Sequence, residues 1–381
     1  MAAEGMEFPR RWTSGTISTN LDVIWEMSAK NTHPQSADGS SGHHQRTEET
    51  LLRHLADLKT LAYLGLIVAV FAILWFFGFD ADGSLNVSLC APLLTLLCLL
   101  AIANAVISHN HNHAPIFRDR WANLLVGCVI SFFYGFPSFC WVPTHNQNHH
   151  AFNNRPGDYS ITTRPRRRVG LVGALLYPTV TSLTQARLIS PFLRRSRRHN
   201  RFIFRRALIE YVVFFGVMIA LFLIDWRKAL MFAVLPQQVA IFFIQHFNYL
   251  QHIETDSYSE FGHSRNFTGW FLNLCLFNNG YHTVHHLKPG LHWSLTPQAH
   301  AEVAHKIPRR LLIENFGTFW LRRFVADALL RRAPCHMTLP AALSPDTLRV
   351  TAQGTAALES AYRLHGLVSA TRPAKVVPGP R

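Results

Sequence analysis

Apolar and polar positions along this chain fall into long blocks rather than short alternations. Thr60 to Phe79 (TLAYLGLIVAVFAILWFFGF) and Leu85 to Ile107 (LNVSLCAPLLTLLCLLAIANAVI) contain no charged residue, and each reaches the roughly 20 residues a helix needs to cross a hydrocarbon core. Both predict membrane-spanning helices. Leu208 to Ile224 and Ala229 to Phe247 are shorter; the first carries Glu210 and the second is interrupted at Pro236-Gln237-Gln238. A membrane helix tolerates such features where neighbouring helices cover them. A fifth apolar block, Trp121 to Val142, contains Gly127, Gly135 and Pro137.

The blocks are flanked by segments of different character. Residues 1–50 are polar and rich in Ser, His, Thr and Gly, without the apolar core of a secretory signal, and are expected to form a disordered tail. Residues 333–381 mix Ala, Pro, Arg and Thr without sustained apolar periodicity, which predicts a loosely ordered appendage. A single domain over 51–332 remains. The composition agrees with membrane burial, at 49% hydrophobic against 15% charged residues.

Charge sharpens the orientation. The net charge is +15, and from His109 to Arg206 fifteen arginines stand against two acids, Asp119 and Asp158. Nucleic acid could answer such a surplus, but beside membrane spans arginines mark the cytoplasmic side and face anionic lipid. The turn from Asp80 to Ser84 carries two acids and no base, as a non-cytoplasmic turn should. Arg227 and Lys228, between the last two spans, break the rule. The six cysteines form no CxxC pair and mostly lie in apolar sequence, which predicts small hydrophobes rather than disulfides or thiolate ligands.

The chemistry lies in the 22 histidines. Clusters occur at His109-Asn-His-Asn-His113, at His145-Asn-Gln-Asn-His149-His150, at Asn248-Tyr-Leu-Gln-His252 and at His282-Thr-Val-His285-His286. Residues three and four apart on a helix share a face, so His109 pairs with His113, His145 with His149, Asn248 with His252, and His282 with both His285 and His286. His150, next to His149, can lean toward a second ion. Nine imidazoles so spaced exceed the needs of one ion and suffice for two. His111 should point away from the His109–His113 face, His246 reads as a buried hydrogen-bonded residue, and His263 and His292 read as supporting residues.

Ligands of one centre must share one side of the bilayer. Two spans return the chain to its starting side at His109, so Trp121 to Val142 must be peripheral or re-entrant, and Val169 to Leu188 cannot cross alone. The expected fold is an all-α integral membrane protein. Its four transmembrane helices form two hairpins, with a cytoplasmic histidine-rich di-metal cap and both termini cytoplasmic.

The ordered HxxxH, HxxxHH and HxxHH boxes around two pairs of spans resemble the membrane-bound fatty acid desaturase superfamily over residues 51–320. The stretch NNGYHTVHHLKPGLHWS from Asn278 resembles its bacterial members in particular. The resemblance implies a di-iron centre held by His109, His113, His145, His149, His150, His252, His282, His285 and His286, with Asn248 approaching one iron through a water. It implies dioxygen as co-substrate, a fatty acyl lipid as substrate and a bacterial inner-membrane location. His282 replaces the Gln typical of front-end desaturases, and no HPGG haem motif is found, so electrons are expected from a separate ferredoxin or cytochrome b5-type donor. The same boxes occur in membrane hydroxylases, ketolases and alkane monooxygenases, which are the enzymatic alternative. A metal transporter would instead need polar ligands along the span.

Overall fold

The structure is a computed structural model that describes residues 50–166, 169–326 and 329. The tails expected at 1–50 and 333–381 lie outside the described residues, Thr50 apart. The fold is helical, with one parallel pair of two-residue strands, Asn266–Phe267 against Leu312–Ile313.

Among the described residues three helical runs are long and apolar enough to cross a membrane. The first two are α1 (Asp57–Phe77) and α2 (Val87–His113). They pack side by side around Leu64, Ile67, Leu74, Leu97 and Ala101. The third run covers 201–252 but is not one rod. Inside α6 (Arg201–Lys228) Asp225 has extended backbone (φ −156°, ψ 101°) and kinks the run; a π-helical stretch, Ala229–Val234, and α7 (Leu235–His252) follow. Gln237 Nε2 reaches Met218 Sδ at 3.5 Å, whereas residues 19 apart in a straight helix would stand about 28 Å apart. The chain therefore doubles back at Asp225.

The two cations that broke the charge rule sit at this turn. Lys228 Nζ donates to the Trp75 carbonyl at 2.8 Å, near the C-terminal end of α1, where helix carbonyls lack intrahelical partners. Arg227 stands 3.7 Å from Asp225 and over the Phe79 ring. Both cations thus clamp the ends of neighbouring helices together.

The block from Trp121 is bent, as its glycines and proline suggested. The helix α3 (Arg120–Tyr134) stops at Gly135, whose φ of 90° favours glycine, and the helical segment from Ser138 to Phe152 leaves at 87°. Glu210, the acid inside α6, holds the corner. Its Oε2 accepts the Phe139 N–H at 2.9 Å and the hydroxyls of Ser131 and Ser138, while Arg206 pairs with Oε1 at 3.4 Å. A buried carboxylate satisfied this fully is tolerated inside an apolar helix. The segment 169–188 yields α4 (Leu171–Gln185), which is not among the spanning candidates. It leads into α5 (Ile189–His199), which carries the arginine run.

Candidate metal centre

Each histidine box lies on a helix or at its end. His109 and His113 close α2, where both are buried. His145 and His149 lie in the π-helix Val142–His149, and His150 opens the helical turn after it. His252 ends α7, and α8 (His282–Leu287) carries the last box.

Two convergent sets result. The ring nitrogens of His109, His113, His145 and His285 lie within 4.8 Å of one another, and those of His149, His252, His282 and His286 do likewise. In the first set His109 Nε2 is 3.0 Å from the Nε2 of His145 and of His285. His150 joins it, its Nε2 3.1 Å from His145 and 3.0 Å from His285. In the second, His252 Nε2 stands 3.1 Å from His149 and 2.9 Å from His282, which is 3.2 Å from His286. Nitrogens ~2.0–2.1 Å from one ion and at right angles about it would stand about 3.0 Å apart. An all-imidazole donor set suits iron, zinc or copper, so spacing and donor type both fit a metal pair.

The pairing differs from the one expected by counting helical turns. His145 and His149 do not converge; His145 goes with His150 and His149 with the other set. The cause is local: in the π-helix the His150 N–H bonds the His145 carbonyl five residues back, and this wider turn carries His150 back over His145. In α8 the box is likewise divided, His285 to the first set and His282 with His286 to the second. The helix stands between the sets and serves both.

Burial favours the neutral form of the rings in the last box. In α8 it pushes His282, His285 and His286 well below the ordinary histidine range, and neighbouring imidazoles add to the effect. Neutral imidazole is the form that binds a metal.

Asn248 sits one helical turn before His252. Its amide donates to the Tyr177 hydroxyl at 2.8 Å, which donates to the Ser160 carbonyl. His111 is buried in α2 and belongs to neither set. His246 is held between the Ala174 carbonyl and the Trp320 indole N–H, and His292 bonds Asp57 at 3.1 Å. His263 packs its ring 5.3 Å from His286 and offers its carbonyl to His252 Nδ1 at 3.3 Å.

One residue of the site was not anticipated. Asp158 is fully buried, and its Oδ2 accepts from His149 Nδ1 at 2.8 Å and from the Asn154 N–H at 2.8 Å. Its Oδ1 accepts from the Ser160 N–H and hydroxyl at 2.7 and 2.6 Å. Burial alone would raise its pKa, but His149 and Ser160 outweigh that and hold the carboxyl below its usual range. Such a carboxylate fixes the ring orientation and tautomer of a ligating histidine. The preceding Gly157 has φ 107°, and a Cβ there would collide with the Phe152 ring. The available signal was that Asp158 is the sole acid between Asp119 and Glu210.

A cavity of about 190 Å³ opens against both sets. His109, His145 and His282 line it together with Asn248, and Tyr134, Phe136, Trp141, Ile241 and Ile244 form apolar walls.

A family model described as "Fatty acid desaturase" matches residues 82–317, a stretch that contains every histidine of both sets. The chain belongs to the fatty acid desaturase family. No curated protein and no solved structure matches it. Membership implies an oxidoreductase that works on a lipid acyl substrate in a membrane setting.

Proposed function

We propose that the protein is an oxygen-dependent acyl desaturase with two irons, one held by His109, His113, His145, His150 and His285, the other by His149, His252, His282 and His286. Asn248 would approach one of the irons through a water. The observation that carries the reading is the apolar-walled cavity against both imidazole sets, within a chain of the desaturase family.

Bound there, the iron pair would supply reduction of dioxygen by two electrons from a separate ferredoxin or cytochrome-type donor. With two protons and two hydrogens taken from adjacent methylenes, the balance is one alkene and two waters. The chain's own residues do the rest. Tyr134, Phe136, Trp141, Ile241 and Ile244 hold an alkyl chain beside the histidines and exclude water, which positions unactivated methylenes for attack. Asp158 and the His263 carbonyl hold His149 and His252 in ligating orientation.

The helices support a four-span arrangement. α1 with α2, and α6 with α7, form two hairpins whose turns lie together at the Lys228–Trp75 contact, while the boxes gather at the opposite end. Four spans and a cytoplasmic cap in a bacterial inner membrane account for this placement and for the arginine surplus beside the boxes. Expression in a desaturase-deficient bacterium, followed by mass spectrometry of its lipids, tests the reaction. Acyl chains lighter by two hydrogens are expected; chains gaining one oxygen would instead make the protein a hydroxylase.

A further inference from the structure

A second, more open hollow adjoins the cavity at the histidines, and Phe136, Ala186 and Ile189 line both, which suits the hollow to be the mouth of the cavity. Arg194 and Arg197 of α5 and Phe204 and Tyr211 of α6 form its outer rim.

Both arginines are exposed, and Arg194 donates to the Ser190 hydroxyl at 2.8 Å. Among the described residues no carboxylate pairs with either. The sequence holds no acid between Asp158 and Glu210, so no near neighbour along the chain neutralises them. Standing three apart, they share one face of α5, while the helix buries Phe192 and Ser196 on another. Two guanidinium forks side by side match the oxygens of a phosphate.

We propose that this mouth binds the phosphate of a membrane glycerophospholipid through Arg194 and Arg197, with one acyl chain running past Phe136, Ala186 and Ile189 toward the histidines. The fate of that chain rests on the desaturase reading; the binding does not. A bilayer source is favoured by the position of the mouth. One wall is α6, whose Val212, Phe215 and Ile219 beyond Tyr211 are exposed to the degree of 63, 47 and 59%, an apolar surface that only lipid covers well. The arginines thus stand where headgroups meet hydrocarbon.

The test is native mass spectrometry of the detergent-solubilised full chain titrated with distearoyl phosphatidylglycerol or with stearoyl-coenzyme A. The phospholipid should bind, and Arg194→Gln with Arg197→Gln should weaken it about tenfold. Arg198→Gln on the same helix, outside the mouth, should leave it unchanged. Equal loss with Arg198→Gln would reduce the effect to general surface charge and overturn the site. Tighter binding of the coenzyme A ester, lost in the double variant, would overturn the lipid source. If binding behaves as stated while the same preparation makes no alkene, the desaturase reading fails and the lipid site stands.

Discussion

The two imidazole sets differ in what stands behind them. The second set is braced: Asp158 holds His149, and the His263 carbonyl holds His252. Among the described residues no carboxylate bonds His109, His145, His150 or His285; His109 Nδ1 instead meets the neutral Asn110 side chain at 3.0 Å. Yet the first set contributes both His109 and His145 to the cavity, against His282 from the second. A carboxylate behind a histidine raises its basicity and fixes its ring, so one ion should be held firmly and the other should be the more exchangeable, beside the substrate.

The largest effect should come from the first set. His285→Ala removes the ring that links His109 and His150, and it should abolish product and leave about one iron per chain while membrane insertion is unchanged. Retention of both irons would show that the sets are not separate sites. Next in size, Asp158→Asn should weaken metal binding by ~10- to 100-fold at the second set alone, read by chelator titration. An equal loss at both sets would remove the asymmetry. Tyr177→Phe frees the Asn248 amide from its hydroxyl partner and should lower turnover several-fold with iron content intact; loss of iron would instead give the Asn248–Tyr177 bond a role in holding the centre. The smallest effect is expected for His111→Ala, since His111 belongs to neither set: activity should stay within about threefold of the unaltered chain. Inactivity with lost iron would bring His111 into the centre.

That the histidine boxes would converge was legible because histidines at helical spacing beside long apolar blocks have few other uses. Their division between two sites was not. It depends on a π-turn at Val142–His149, and no residue type there announces i→i+5 bonding. Counting turns therefore joined His145 to His149. The corner before that box was legible in Gly127, Gly135 and Pro137, but its clamp, Glu210, read only as an anomaly inside a span; its partners Ser131 and Phe139 are more than seventy residues away in sequence. Asp158 escaped for the same reason. Its lone negative charge was visible, but its contact with His149 needs the turn through Asn153, Asn154 and Gly157, all at positive φ. The reversal at Asp225 lies between the two short apolar blocks, where spacing placed a tight turn, whereas the roles of Arg227 and Lys228 required knowing which helix end lay beside them.

Nine histidines are expected to hold two irons in two unequal sites. Iron counting and Mössbauer spectroscopy on the purified full chain, loaded with ⁵⁷Fe and then dialysed against a chelator, test it most directly. The account predicts about two irons per chain with two distinguishable signals, one lost first on dialysis and absent from the His285→Ala variant. A single iron per chain, or zinc retained in its place after iron loading, would contradict it.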